Sequence, residues 1–434
     1  MAVSTKYLSD WRFPFANPLP SDDQLEMYAE QVRENTQKYS QYSHINETPI
    51  QFQSTKDSHP FECPIYALDP SRVVVFYDDA DNPRMREFIT ERQILFPVHP
   101  ANEAAPKIEE IVSGPITGKT WVFPTASTRT VRIWDSAKKE GFKLDLHRRI
   151  SRFDRRLGPG TIGHAIEVSK RLAAYLRHSP DLHTAIMKED FGAAFVTERN
   201  PKLQGWGYLH REMDLYPALS KRTSSVPLFS LYGIDPAAPD TPPLLARILD
   251  PYESNKERIE AVLENVYFPI IRSWTSVFQN TGIALEPHGQ NSRIEFVRDG
   301  KNYLLTGRIG HIDFDAAVIK KMLDRLDIEP SNLYSGQLVT EDNGHEISTI
   351  YDKSMGKMLF DQIASLLQTR YKIDPKILQK RCQSEFARCF PDSDEFFPEK
   401  TYKYTADPIA ENTFGYVCTG EDPTWRPSKK SFAQ

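Results

Sequence analysis

The sequence predicts an α+β protein, and three observations carry that reading. Runs rich in β-branched and aromatic residues, closed by proline or acidic residues, crowd the first half: SRVVVFYDD, ILFPVHP and TWVFPTASTRTVRIW. Apolar residues recur at spacings of three and four in GTIGHAIEVSKRLAAYLRH and through much of the C-terminal part. Between these helical stretches, RIEFVRDGKNYLLTGRIGHIDF reads as a hairpin with DGKN as its turn. A chain of 434 residues makes two or three domains, or one large α+β body.

In chain order, SDDQLEMYAEQVRENTQKYS predicts an exposed amphipathic helix capped by Ser21 or Asp22. SRVVVFYDD and ILFPVHP are strands. In TWVFPTASTRTVRIW, Pro124 predicts a bend or bulge, and KLDLHRRISRF supplies a strand to pair with it. The prolines of GIDPAAPDTPPLL cannot sit in a helix interior or a central strand, so this stretch predicts a loop between lobes. KERIEAVLENVYFPIIRSWTSVFQN reads as a long helix that Pro269 kinks or interrupts. SMGKMLFDQIASLLQTRY and KILQKRCQSEFARCF predict further helices, and WRPSKKSFAQ a loose tail.

Composition narrows the class. No apolar run is long enough to span a bilayer, and MAVSTKYLSDWRFPF lacks the basic start and unbroken apolar core of a signal peptide. The expectation is a soluble, cytoplasmic protein with no membrane partner. A formal net charge of −5 argues against a chain whose task is to hold nucleic acid. Cys63, Cys382, Cys389 and Cys418 form no CxxC pair, so reduced thiols are expected rather than structural zinc.

Several motifs compete for the chemistry. GPITGKT invites a phosphate-loop reading, but Gly114 and Gly118 are one residue too close and the sequence after Thr120 is strand-like. It reads as a turn before a strand. STRTV gathers Ser127, Arg129 and Thr130, hydroxyls and a guanidinium of the kind that grip phosphate oxygens. Alone it reads better as an ordinary exposed strand end. KLDLHRRISRFDRR adds Lys143, Ser151, Arg152 and Arg155, a concentrated basic patch in an acidic protein. Asp145 and Asp154 lie close enough to make it an ordinary charged face. EPHGQN sets His288, Gln290 and Asn291 after an apolar helix and before the hairpin. Two polar clusters far apart in the chain suggest one site closed by two lobes.

STRTV, then KLxL with a Ser and an Arg downstream, then ExHxQN, resembles the NRPS-independent siderophore synthetases, the IucA/IucC-like ligases; FPVHP resembles a further segment of that family. The likeness runs from about Pro97 to His311. It implies a cupped-hand fold of thumb, fingers and a kinase-like C-terminal palm, here assigned to residues 1–115, 116–240 and 241–434. It also implies adenylation of a carboxylic acid (citrate, another di- or tricarboxylate, or an amino acid such as aspartate) with ATP and magnesium. Attack by an amine or alcohol then gives an amide or ester, and relatives imply a homodimer. By the same resemblance Ser127, Arg129, Thr130 and Lys143 bind the triphosphate. Ser151 and Arg155 touch the acid, and His288 stands between nucleotide and carboxylate with Gln290 and Asn291 beside it.

Two departures bear on the chemistry. GRIGH places Arg308 where the family has a metal-binding Asp, so Asp313 or Asp315 of HIDFD would take that role after a shift. No GHPxHPxxK motif is present, and His59 in DSHPFECP is at most its remnant. A small-molecule kinase is the rival, since HGQN followed by GHIDFD resembles a kinase layout; Gln290 then stands where a catalytic Asp is required. The third reading is an inactive binding protein on the ligase scaffold.

Overall fold

The computed structural model describes residues 22–31, 52, 54, 59–102, 116–134, 136, 138–150, 153–178, 181–195, 206–219, 223–234, 240–299, 302–340, 344–406, 414–418 and 421–428. For a few residues in these elements, Arg155 among them, only the backbone is described.

Helix α1 (Asp22–Gln31) comes first. Then follow β1 (Phe61–Leu68), β2 (Val73–Tyr77), the short α2 (Pro83–Phe88), β3 (Ile94–Pro97), β4 (Ile116–Pro124), β5 (Thr130–Ile133) and β6 (Glu140–Leu144). β7 (Leu146–Ile150) and β8 (Phe153–Arg155) make a small separate hairpin. α3 (Pro159–His178), β9 (Thr184–Ile186), β10 (Glu189–Phe195) and β11 (Gly207–Glu212) complete the first half. Eight of these strands form one antiparallel sheet in the order β2-β10-β11-β6-β5-β4-β1-β3. The expected boundary near residue 115 therefore falls between strands of a single sheet.

The central strands of the sheet are buried on both faces. On one, α3 lies over β10 and buries Ile162, Ala165, Ile166, Leu172 and Leu176, the three–four periodicity read from the sequence. On the other, Phe96, Val122, Phe142, Phe191 and Tyr208 pack together. β6 and β10 are buried at every position although they carry charged residues, Glu140 and Lys143 on β6 and Glu189 and Asp190 on β10.

The second half begins with β12 (Thr223–Pro227) and α4 (Leu244–Leu249). α5 (Asn255–Val262) starts at a capping box in which Ser254 and Glu257 satisfy each other's backbone N–H groups. A π-helical turn over Leu263–Tyr267 separates it from α6 (Phe268–Thr281), so the helix is interrupted just before Pro269, where interruption was expected. Gly282 ends α6 in the left-handed conformation, a C-terminal stop that favours glycine. Then come β13 (Ile283–Ala284), β14 (Ser292–Asp299), β15 (Asn302–His311), β16 (Ala317–Ile319), α7 (Lys320–Leu326) and β17 (Leu338–Val339). α8 (Gly344–Ser348), a second π-helical stretch, α9 (Asp361–Tyr371), α10 (Pro375–Cys389) and the ribbon β18 (Tyr402–Ala406) with β19 (Phe414–Cys418) finish the chain.

β14 and β15 are the hairpin read from the sequence, with Asp299 paired to Asn302. They form a second sheet in the order β12-β14-β15-β9, and β9 joins β15 in parallel. Only Met187 and Lys188 separate β9 from β10 of the large sheet. The two sheets therefore meet at that crossing, beside the end of β15, where Met187 N–H donates to His311 at 3.0 Å.

Two sequence expectations need correction. α1 is not an exposed helix: Leu25 and Ala29 enter the main apolar core and Glu26 is buried as well. Nor is WRPSKKSFAQ loose from its start. Trp425 stacks on Tyr267 with ring centroids 5.4 Å apart, and Arg426 makes a buried ion pair with Asp352. Residues 429–434 lie outside the described part, as do residues 235–239 of the proline-rich loop.

Candidate active site

The turn between β4 and β5 carries the first polar cluster. Thr125 Oγ1 donates to the Thr130 carbonyl at 2.8 Å, and Thr130 N–H donates to Ser127 Oγ at 3.0 Å, so the turn is held by its own hydroxyls. Thr128 sits at φ +60°, and Asp313 on the far side of the cleft at φ +68°. Among the described residues, Asp327 and Lys372 share that conformation as helix C-caps, and Asn332 tolerates it in a turn. The β-branched Thr128 has no such excuse and holds of order 1–2 kcal/mol of backbone strain, the kind that collects at functional sites.

Register brings Lys143 to this turn. β5 and β6 pair Thr130 with Lys143, and Leu144 N–H donates to the Arg129 carbonyl at 2.9 Å. The Lys143 side chain is 2% exposed and ends in an ion pair with Asp313, just beyond β15. Burial alone would raise the Asp313 carboxyl. The cations of Lys143, Arg129 and Arg211 overcome that and hold it well below the usual carboxylate range. Asp313 is therefore an anion at any physiological pH. Of these cations, Arg211 was not singled out in the sequence; it reaches the cleft from β11 while pairing with the buried Glu189.

The second cluster is a short loop before β14. His288 is buried, and its Nδ1 faces the backbone N–H groups of Gln290 and Asn291 at 3.3 and 3.4 Å. Those contacts ask Nδ1 to accept, which places the proton of the neutral ring on Nε2. Nε2 lies 3.8 Å from the Glu286 carboxylate. Gly289 is required here, because a Cβ would stand 2.7 Å from the Tyr232 hydroxyl and 3.0 Å from Phe229. The Asn291 carbonyl accepts Ile312 N–H at 3.0 Å, tying the loop to the segment that carries Asp313. Ser127, Thr130 and Gln290 line one cavity of about 60 Å³ together with Glu26, Glu30, Arg132, Arg211 and Arg293.

Negative groups gather on the other side. Desolvation pushes the half-exposed Glu286 carboxyl up to about 7; Asp313, Glu346 and Asp315 add to the rise and Lys353 opposes it. Asp315, at the same floor, is likewise raised by desolvation, with Lys143 opposing, and accepts from Gln337 Nε2 at 2.8 Å. Among the described residues, no three carboxylate, imidazole or thiol groups converge as a complete metal cage. Asp313, one of the two metal-ligand candidates of the sequence, is instead paired with Lys143.

Other motif residues fall elsewhere. Arg308, where an Asp was expected, is buried on β15 and holds Glu295 through two contacts at 3.0 and 3.1 Å and the Pro217 carbonyl at 2.6 Å. Its guanidinium is committed to the second sheet. Ser151 lies outside the described residues, and Arg155 is placed only by its backbone, paired with Leu146. Its neighbour Arg156 lies over the Trp206 ring at 5.0 Å and bonds Asp145 at 3.2 Å, while its carbonyl faces Arg129 Nη1 at 3.5 Å. His99 of FPVHP is buried and accepts from Ala101 N–H; Asn102 beside it bonds both the Asp145 carbonyl and His147 N–H at 2.8 Å. That segment thus braces the strand of Lys143. His59 is exposed before β1, and residues 116–120 of GPITGKT begin β4, a strand and not a helix, while Gly114 and Pro115 lie outside the described residues.

No protein-family profile matches the sequence, and no curated protein matches it. Solved structures do match in fold. The petrobactin biosynthesis protein AsbB from Bacillus anthracis str. Sterne superposes with a TM-score of 0.69 at 15% identity, over 94% of this chain and 76% of that one. The ATP-bound aerobactin synthetase IucA from a hypervirulent pathotype of Klebsiella pneumoniae gives 0.62 at 15%, over 88% and 72%. The aerobactin synthetase IucC from the same source gives 0.62 at 14%, over 81% and 68%. The chain has an IucA/IucC-like fold. No described helix is long and apolar enough to cross a membrane.

Proposed function

We propose that the protein is an ATP-dependent ligase of siderophore or related natural-product biosynthesis, acting in the cytoplasm. It would activate a carboxylic acid as its adenylate, releasing pyrophosphate, and pass the acyl group to an amine or alcohol with release of AMP. The observation that carries this reading is the meeting of Lys143, beside the hydroxyl-rich turn, with Asp313, beside the His288 loop. The fold it shares with an ATP-bound synthetase supports the same use of the cleft. On that reading residues 1–115, 116–240 and 241–434 would be thumb, fingers and palm.

Attack of a carboxylate on the α-phosphate gathers charge on the phosphoryl oxygens. Ser127 and Thr130 would donate hydroxyls to the phosphates, and Arg129 and Lys143 would bring cations that strengthen as that charge grows. His288, with its proton on Nε2, would donate between phosphate and acid, and Gln290 and Asn291 would line the approach. Ser151 and Arg155 remain the proposed contacts to the acid. Magnesium would be held by Asp313 and Asp315 with phosphate oxygens and would supply charge neutralisation on the leaving pyrophosphate. Orienting two anions against each other is the main demand on the protein.

Gln290 counts against the kinase alternative, because an amide cannot take the proton of a nucleophile at neutral pH. The test is hydroxylamine trapping: the protein with ATP, magnesium and a panel of di- and tricarboxylic acids and amino acids should give a hydroxamate with one acid. Absence of any hydroxamate, with ATP bound, would favour the inactive scaffold.

A further inference from the structure

Two carboxylates of α1 stand one helical turn apart, Glu26 and Glu30, and both turn into the cleft while Leu25 and Ala29 face the core. Glu30 Oε2 accepts the backbone N–H of Ala126 at 3.0 Å, and its Oε1 accepts Arg293 Nη1 at 2.7 Å. Ala126 immediately precedes Ser127, and Arg293 follows Asn291 by two residues. One carboxylate thus bridges the two polar clusters. Arg293 is itself fixed, with Nε donating to Ser225 Oγ at 3.0 Å and Nη2 to the Ser225 carbonyl at 2.7 Å. Glu26 closes the circuit: it accepts Ser225 N–H and Lys139 Nζ at 3.0 Å and Arg132 Nη1 at 3.4 Å.

We propose that Glu30 is a positioning residue, which fixes the Ser127–Thr130 turn against the His288–Asn291 loop, with Glu26 as its brace. The bridge is charge-assisted at both ends and largely out of water: the Glu30 side chain is 13% exposed and that of Arg293 7%. It borders the cavity that Ser127, Thr130 and Gln290 line. Without it the turn would lose its tie to β14, and the small cavity would open to water. A turn held by internal hydroxyls alone keeps its shape but not its distance from the opposite loop. The assignment to nucleotide binding rests on the ligase reading; the bridge itself does not.

The test uses the full chain with Glu30→Ala and the isosteric Glu30→Gln, which retains an acceptor for one of the two partners. Amide hydrogen exchange should rise across residues 125–130 in both variants, more in Glu30→Ala, with β10 and β11 unchanged. ATP affinity should fall about tenfold in Glu30→Ala and less in Glu30→Gln, the loss expected for charge-assisted hydrogen bonds. Unchanged exchange at 125–130 overturns the bridge. Faster exchange with unaltered ATP affinity overturns the positioning role and leaves a structural strut. A wild-type protein that binds no ATP overturns the ligase reading, and exchange then decides the bridge alone.

Discussion

Lys143 and Asp313 form an ion pair although 170 positions separate them in the chain. One lies on β6 of the large sheet, and the other lies past the hairpin of the second. A lysine so buried is stable only with a partner, and this partner is held in a left-handed conformation to meet it. The pair defines where the two halves of the cleft touch.

Lys143→Met should lower ATP-dependent turnover by about 10²–10³-fold, as removal of a transition-state donor does. Initial rates against ATP concentration would show it. A variant within threefold of wild type would remove Lys143 from the chemistry.

His288→Ala should cost about 10²-fold in turnover, the usual weight of one positioned donor or acid. ATP binding, measured by titration, should change far less. The imidazole is anchored through Nδ1 by two backbone amides, so His288→Asn, which cannot reach both the amides and the cleft, should not restore activity.

Asp145 gives a pH signature. Burial pushes its carboxyl from 3.8 to about 7, against the pull of Arg156, the Leu157 N–H and Arg129, and its Oδ1 has no partner among the described residues. Below about pH 4 folded and unfolded chains both hold the proton. Between there and about pH 7 the unfolded chain releases it and the folded chain keeps it, so stability falls as pH rises through that window and then levels. The difference is worth roughly 4 kcal/mol at most. Urea melts at pH 5 and pH 8 should show this loss in wild type and not in Asp145→Asn. Equal slopes in the two proteins would contradict the assignment.

Arg426→Ala should destabilise by about 3–5 kcal/mol, because it leaves Asp352 buried and unpaired. The ATP KM should not move. Denaturant melts and kinetics on the same preparation separate the two effects.

The cleft was partly legible in the sequence for a physical reason. Ser127, Arg129 and Thr130 stand together in one turn between β4 and β5, and such local clusters survive in a linear reading. The interruption before Pro269 was legible because proline removes a local hydrogen bond. Glu26 and Glu30 were not: acidic residues four apart on a polar helix face look the same whether solvent or an arginine faces them. Arg308 stood out only as a mismatch, and its partner Glu295 is visible once β14 and β15 are paired. Trp425 and Arg426 looked like tail because their partners, Tyr267 and Asp352, are far away in the chain.

The most direct measurement is the nucleotide product. Purified protein with ATP, magnesium, hydroxylamine and a panel of carboxylic acids should release AMP and pyrophosphate in the presence of one acid and not without it. ADP and phosphate as the acid-dependent products would contradict the ligase account and make the protein a phosphotransferase.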